Sequence, residues 1–176
     1  MPIAARPFGE LLEALAERTP APGGGTAAAC AGALAAGLVE MAARFSNQGD
    51  PGRASELRGQ LLELAEVELT AYEPLLEALR LPRDDPERAG RIAAARSHAA
   101  RSPLEIARAS AEVAALASEL VRDGNRNLEG DANTARLLAS AACRAAARLV
   151  ELNLPDQDAE AMVSEARQLV ARVHPD

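Results

Sequence analysis

The sequence contains no lysine and no tryptophan, and only 2% of its 176 residues are aromatic. All 19 basic residues are arginine, so chemistry that proceeds through a lysine Schiff base is excluded. An anion-binding site in this chain must therefore use arginine, backbone N–H groups or the N-terminus of a helix. The net charge of −7 argues against nucleic-acid binding, because a protein that binds nucleic acid needs a basic face.

Cysteine and histidine are also scarce. Cys30 and Cys143 stand far apart in alanine-rich runs, which favours two buried free thiols. His98 and His174 show no ligand spacing, so we expect no metal site. No run of eighteen consecutive apolar residues occurs, and we expect no membrane span. The segment Met1 to Glu17 lacks the uninterrupted apolar core of a signal peptide, which predicts a cytoplasmic protein.

Alanine is what the sequence has in abundance. Hydrophobic residues make up 48% of the chain, and many of them are alanine, the strongest helix former. The alternation of apolar and polar residues that is typical of strands does not appear, and the length suits one domain. We therefore predict an all-α fold, a single-domain bundle of about six or seven helices that spans residues 1–176.

Helix boundaries follow from breakers, caps and apolar periodicity. The first three helices are predicted at about Pro7–Glu17, Thr26–Ser46 and Ala54–Leu81, the last with a kink near Thr70 because Pro74 lies inside it. The fourth helix is predicted at about Pro86–Arg101, and the fifth begins at the capping box Ser102-Pro103-Leu104-Glu105 and ends at Asp123. The sixth is predicted to begin at Asp131, as its cap, and to end at about Asn153. The last is predicted to run from Pro155-Asp156 to about Val173.

The first segment that suggests chemistry is the loop Pro22-Gly23-Gly24-Gly25-Thr26. Three glycines allow the backbone to approach a ligand closely, and the following helix contributes its positive end. This loop therefore has two interpretations, a cradle for a carboxylate or polar ring edge and a flexible helix entry. It is not a Walker loop, because no lysine follows it and no strand precedes it.

Glu68 is the single carboxylate in an apolar stripe of the predicted third helix. The other members of the stripe recur at intervals of three and four residues: Leu57, Leu61, Leu64, Tyr72, Leu75 and Leu79. Burial would raise the pKa of this carboxyl group, which is what a general acid needs near neutral pH. The alternative is that Glu68 lies at the edge of the stripe and pairs with an arginine, and the pattern alone favours this alternative.

Three further polar features have a functional and a structural interpretation each. Asp131 closes a polar loop that begins at Gly124, and it could contact a ligand or form an ordinary cap. Asn153 could be a binding amide or a hydrogen bonder at a helix end. Tyr72 could be a catalytic or stacking phenol, but such a residue is more often part of a core.

Taken together, these segments resemble the formiminotetrahydrofolate cyclodeaminase/cyclohydrolase family over nearly the whole chain. That family has a proline, three glycines, a serine and an alanine-rich helix, a Val-Pro-Leu-Glu-Ile-Ala segment, a Gly-Asn…Ser-Asp segment and an Ile-Asn-Leu-Lys segment. The corresponding segments here, in the same order, are Pro20-Ala-Pro-Gly-Gly-Gly-Thr-Ala-Ala-Ala-Cys-Ala-Gly-Ala-Leu34, Ser102-Pro-Leu-Glu-Ile-Ala107, Gly124-Asn125 with Asp131, and Asn153-Leu154 with Asp156.

The resemblance also assigns roles to residues. The proton donor of the family is an aspartate four residues before a phenylalanine, and counting back from Leu81-Pro82 places Glu68 at the aspartate and Tyr72 at the phenylalanine. The resemblance also implies that the glycine loop, Asp131 and Asn153 bind a one-carbon-substituted tetrahydrofolate. The implied reaction converts 5-formiminotetrahydrofolate to 5,10-methenyltetrahydrofolate with loss of ammonia, without metal or redox cofactor.

The resemblance further implies a homodimer with sites near the subunit interface, and a separate formiminotransferase as a partner. Three positions depart from the family: Glu68 replaces aspartate, Gly130 replaces a serine, and Gln48-Gly49 stands where a Gly-Lys pair often occurs. Two alternatives stay open: a methenyltetrahydrofolate cyclohydrolase that uses the same acid, and a folate-binding helical protein without catalysis.

Overall fold

The computed structural model describes residues 1–155 and 160–173, and this part of the chain folds into seven α-helices without a strand. The helices are α1 (Phe8–Ala16), α2 (Gly24–Arg44), α3 (Pro51–Val67), α4 (Glu73–Arg80), α5 (Arg88–Asp123), α6 (Glu129–Asn153) and α7 (Glu160–Arg172). Short 3-10 turns precede α1 and α6. The predicted all-α bundle of six or seven helices is confirmed.

The alanine-rich helix α2 lies at the centre of the bundle, packed against α3, α5 and α6. A Cβ at Gly32 would lie 3.2 Å from the methyl groups of Leu61 and 2.7 Å from Ser110 Oγ, so a glycine here permits close approach of α3 and α5. By length and composition α2 could also cross a membrane, but 61% of its most apolar window is buried inside the bundle. This is the environment of a core helix.

The predicted helix Ala54–Leu81 is wrong, because the structure contains two helices there instead of one kinked helix. The first, α3, begins at Pro51 after Asp50, whose Oδ1 accepts a hydrogen bond of 2.9 Å from the N–H of Arg53. Residues 68–72 separate α3 from α4. Pro74 cannot donate the N–H that would continue the helix to Thr70, and it lies in the first turn of α4 instead.

The predicted break between Arg101 and Ser102 is also wrong, because α5 is a single helix of 36 residues with Pro103 inside it. Proline in a helix interior leaves the carbonyl four residues earlier without its donor. That carbonyl belongs to Ala99, and it accepts a hydrogen bond of 3.0 Å from Asn153 Nδ2 at the end of α6. The helix continues through Pro103 because another helix supplies the missing donor.

The predicted starts of α2 and α6 also differ by a few residues from those in the structure. Helix α2 begins at Gly24, so two of the three glycines belong to its first turn. Helix α6 begins at Glu129 after Leu128, so Asp131 lies in the first turn and is not the cap. The predicted start of the last helix at Asp156 lies outside the described residues.

Candidate active site

A small open cleft forms where the N-terminal end of α2 meets the end of α3, the middle of α5 and the end of α6. Its volume is ≈ 170 Å³. The residues that line it are Pro20, Gly23, Gly24, Gly25, Glu68, Ala71, Tyr72, Ala99, Pro103, Leu149 and Asn153. The cleft therefore brings together six of the eight residues that the sequence suggested, drawn from segments far apart in the chain.

Glu68 is the carboxylate of this cleft. It caps the C-terminal end of α3, where its N–H donates to the carbonyl oxygen of Leu64 at 3.0 Å. Its Oε1 is buried and accepts no hydrogen bond from the described residues. No arginine pairs with Glu68 in any of the ion pairs of the described chain, so the interpretation as one arm of a surface ion pair finds no support.

The environment of Glu68 favours the protonated form. Burial raises the pKa of its carboxyl group above the usual value, and the Ser102 hydroxyl offsets part of the rise, although neither Glu68 Oε1 nor Ser102 Oγ makes a hydrogen bond in this structure. Among the described residues that line the cleft, none has a basic side chain. A carboxyl group that keeps its proton at a higher pH can act as a general acid.

The glycine segment places the N-terminal end of α2 against this carboxyl group. The first intrahelical hydrogen bond of α2 runs from the N–H of Ala27 to the carbonyl of Gly23, at 3.0 Å. The amides of Gly24 and Gly25 precede that bond, so they belong to the donors that a helix leaves unpaired at its N-terminus. Together with the partial positive charge of the helix end, they can bind a carboxylate or another acceptor.

Thr26, which the sequence grouped with the glycines, does not line the cleft. Its side chain is buried, and its hydroxyl lies 3.5 Å from the carbonyl oxygen of Ala65. Thr26 therefore ties the start of α2 to the end of α3. In this way it sets the distance between the glycine segment and Glu68.

Asn153 contributes an amide to the opposite wall of the cleft. Its Nδ2 is held by the carbonyl of Ala99, as described above, while no described residue donates to its Oδ1. The fixed amide can therefore present an acceptor to a ligand. Sequence reasoning missed Ala99, Pro103 and Leu149 as lining residues, and the proline inside the α5 segment was the one available signal.

Tyr72 lies at the mouth of the cleft and is 44% exposed. It lies four residues after Glu68, in the segment between α3 and α4, and is the N-cap residue of α4. The alternative interpretation of Tyr72 as a core residue therefore does not hold, since α3 ends at Val67 and the ring lies at the surface. An exposed aromatic ring beside a cleft can stack on a planar ligand.

Asp131 does not reach this cleft within one chain. It lies in the first turn of α6, whereas Asn153 is the last residue of the same helix, about 33 Å away at 1.5 Å per residue. The loop before Asp131 has ordinary turn and cap chemistry: Asn125 Nδ2 donates to the carbonyl of Phe45 at 3.1 Å, and Asn125 Oδ1 accepts from the N–H of Asn127 at 3.0 Å.

Arg80 at the end of α4 and Arg83 just after it are exposed and do not line the cleft. A larger cavity of ≈ 490 Å³ lies between α5, α6 and α7 and contains none of the suggested site residues. Its walls are joined by ion pairs, of which Arg108 with Glu165 is bidentate at 2.7 and 2.6 Å. This cavity is best explained as a gap between helices that salt bridges hold together.

Potential metal ligands do not cluster in the part of the chain that the structure covers, since no group of three histidine, cysteine or acidic side chains occurs there. The thiol of Cys143 is buried, and burial raises its pKa to about 11. Cys30 is half-buried. Neither thiol belongs to the cleft.

The fold and the cleft define an all-helical protein that holds a half-buried carboxyl group against the N-terminus of its central helix. The chain belongs to the formiminotransferase-cyclodeaminase family, whose model matches residues 7–172. The resemblance inferred from the sequence motifs is thereby confirmed.

Individual relatives are named either as cyclohydrolases or as cyclodeaminases. A methenyltetrahydrofolate cyclohydrolase of Methylorubrum extorquens is 33% identical over 170 residues, which cover 88% of this chain and 82% of the relative. The formimidoyltransferase-cyclodeaminase of Gallus gallus is 26% identical over 97% of this chain, which spans 35% of that longer protein. The crystal structure of formiminotetrahydrofolate cyclodeaminase from Thermotoga maritima superposes with a TM-score of 0.86 at 26% identity, covering 97% of this chain and 91% of the other.

Proposed function

We propose that the chain is a cytoplasmic enzyme that acts on a one-carbon-substituted tetrahydrofolate and uses Glu68 as its proton donor. The observation that carries the proposal is the position of this carboxyl group. One of its oxygens is buried, its pKa is raised, and the described residues that line the cleft include no basic side chain. The folate substrate itself is suggested by the names of the relatives.

The first candidate reaction is the cyclodeamination of 5-formiminotetrahydrofolate. N10 attacks the formimino carbon, and the bond between that carbon and the imino nitrogen breaks. The nitrogen leaves as ammonia after it takes one proton from N10 and one from Glu68, and the 5,10-methenyl compound remains. The reaction exchanges one carbon–nitrogen bond for another and transfers protons without a change of oxidation state, so the proposal includes no redox cofactor, and it includes no metal.

The cleft suits both halves of that proton transfer. Burial raises the pKa of the Glu68 carboxyl group and so favours its protonated form, as a general acid requires. After the transfer, the partial positive charge at the N-terminus of α2 would stabilise the carboxylate that is left. Because Gly25 has no side chain, the Glu68 carboxyl group contacts the backbone at the start of α2. The positive end of this helix is therefore close enough to stabilise the negative charge of Glu68.

The cleft is smaller than a whole tetrahydrofolate, because a cavity of ≈ 170 Å³ lies below the usual range of about 300–1,000 Å³ for ligand sites. We assign it to the reacting part of the substrate. In this assignment the amides of Gly24 and Gly25 and the Oδ1 of Asn153 bind polar ring atoms, and Tyr72 stacks at the mouth. The remainder of the substrate extends over the surface.

A homodimer is part of the proposal. The outer face of α2 carries no charge before Arg44 and is lined by apolar residues that are exposed or half-buried: Ala27, Cys30, Ala31, Leu34, Leu38, Met41 and Phe45. A two-fold interface places the same patch of both subunits together, and an uncharged patch meets itself without repulsion. In such an assembly, Asp131 would approach a substrate only from the partner subunit.

Methenyltetrahydrofolate cyclohydrolase is the second candidate, favoured by the relative of that name at 33% identity. In that reaction water adds to the methenyl carbon and loses a proton, and one of the two carbon–nitrogen bonds of the bridge then breaks to leave a formyl group. The same carboxyl group would serve as base in the first step and as acid in the second. A separate formiminotransferase remains the expected partner under the first candidate only.

Turnover of both substrates by the purified chain tests the proposal and separates the candidates. The near-UV absorbance of the methenyl compound would rise with 5-formiminotetrahydrofolate under the first candidate. It would fall faster than the spontaneous rate with 5,10-methenyltetrahydrofolate under the second. A protein that binds tetrahydrofolate but changes neither absorbance would contradict the catalytic proposal and leave the folate-binding alternative.

A further inference from the structure

Ser102 and Glu68 each have a buried oxygen without a hydrogen-bond partner among the described residues. Ser102 lies on α5, is 7% exposed and directly precedes Pro103, which lines the cleft together with Glu68. Its Oγ and the Oε1 of Glu68 are two of the three buried side-chain oxygens of the described chain that make no hydrogen bond. Because a buried polar atom without a partner costs free energy, such atoms need an explanation.

The ordinary partner of a serine in a helix is the carbonyl oxygen four residues earlier. Ser118 and Ser140 make this bond, to Ala114 at 2.8 Å and to Arg136 at 2.7 Å. Ser102 does not. Its hydroxyl is therefore available for another acceptor, and the unpartnered Oε1 of Glu68 belongs to the cleft that Pro103, the residue after Ser102, also lines.

We propose that Ser102 is a positioning residue for the proton donor: its hydroxyl donates to the Glu68 carboxylate when the proton has left. A hydrogen bond to an ionised carboxylate is about twice as strong as one to a neutral group. Ser102 therefore stabilises the ionised form more than the protonated form, and it holds the carboxyl group in one orientation. This inference rests on the proposed role of Glu68.

Ser102 differs from the other polar side chains near the cleft because its donor is buried and has no partner. Among the described residues that line the cleft, Asn153 already donates to the carbonyl of Ala99 and Tyr72 is exposed at the mouth. The pKa of Glu68 agrees with this role, since burial raises that pKa and the hydroxyl of Ser102 lowers it. Without Ser102, only the N-terminal end of α2 would oppose the rise that burial causes in the pKa of Glu68.

The test replaces Ser102 by alanine and measures the Glu68 pKa directly, by ¹³C NMR of labelled carboxyl groups. The resonance is assigned by its absence in Glu68→Gln. Loss of the hydroxyl should raise this pKa by about 0.5–1 unit, the size of one charge-assisted hydrogen bond after solvation. Since the protonated form is the active acid, the high-pH limb of kcat/KM should move upward by the same amount.

Three further variants keep the test specific. Ser102→Thr retains the hydroxyl and should restore the wild-type titration, whereas Ser102→Cys is nearly isosteric, donates weakly and should shift it like alanine. Ser110→Ala removes the third unpaired oxygen, on the same helix but about 12 Å away, and should change neither the titration nor the pH profile.

An unchanged Glu68 titration in folded Ser102→Ala and Ser102→Cys overturns the inference. If the titration moves but the pH profile of kcat/KM does not follow, the contact between the two residues stands, and the assignment of Glu68 as the proton donor fails instead. The failure of the inference and the failure of the proposed function are therefore distinguished.

Discussion

The carboxyl group of Glu68 fills the space that a side chain on Gly25 would need. A Cβ at Gly25 would lie 2.9 Å from Glu68 Cγ and would overlap the carboxyl group itself. At the adjacent Gly24, the nearest atom to such a Cβ is Leu149 Cδ1, at 4.0 Å. The two neighbouring glycines thus have different constraints, although the sequence presents them as equivalent.

The first prediction uses this difference. Gly25→Ala should displace Glu68 and lower kcat/KM by about a hundredfold or more, because the acid no longer lies near the leaving group. Gly24→Ala meets no close atom and should keep activity within a few-fold. Steady-state kinetics on both folded variants decide the matter, and equal losses in both would contradict the role of the Gly25–Glu68 contact.

The second prediction concerns the bond between Asn153 and Ala99. Asn153→Ala should leave the buried carbonyl of Ala99 without a donor and lower the free energy of unfolding by about 1–3 kcal/mol. In a Pro103→Ala background the same change should cost much less, since residue 103 then provides an N–H to that carbonyl. Urea unfolding of the four proteins in this double-mutant cycle measures the coupling, and strict additivity would speak against the compensation.

The third prediction concerns the dimer. Leu34 is 56% exposed on the outer face of α2, so Leu34→Glu should place a charge in the interface and produce a monomer in sedimentation experiments at micromolar concentration. Leu137 on α6 is similarly exposed at 48% but lies outside that face, and Leu137→Glu should remain dimeric. A wild-type protein that sediments as a monomer would refute the proposed homodimer.

Local sequence signals were sufficient for the existence and central position of α2, because its alanine-rich apolar run has one interpretation. They failed at both internal prolines. Pro74 ends a helix, whereas Pro103 is accommodated, and the difference depends on Asn153, which is fifty residues further along the chain. A sequence pattern cannot show that a carbonyl freed by proline finds a donor on another helix.

The site was predictable to a similar extent. Apolar periodicity identified Glu68, and the glycines marked the helix entry that contacts it. Asp131 was grouped with them only by motif order, while the length of α6 separates it from Asn153. Ser102 was interpreted as a helix cap because serine before proline is a common start signal, and its burial inside a continuous α5 follows only from the packing of that helix in the bundle.

The last prediction separates the chemical role of Glu68 from a structural one. Glu68→Gln should retain the fold and lower turnover by about a hundred- to ten-thousand-fold, the range for a general acid. Glu63→Gln, an exposed position on the same helix, is the control and should remain active.

The pH dependence of stability gives an independent measurement of the role of Glu68. Because the pKa of Glu68 is raised in the folded state, the folded protein binds more protons than the unfolded chain between the unfolded and folded pKa values, and stability falls as pH rises through that window. Glu68→Gln lacks this loss, so its free energy of unfolding relative to wild type should increase with pH and then level off above the folded pKa. A Glu68→Gln protein that is destabilised at neutral pH and fully active would instead identify Glu68 as a structural residue.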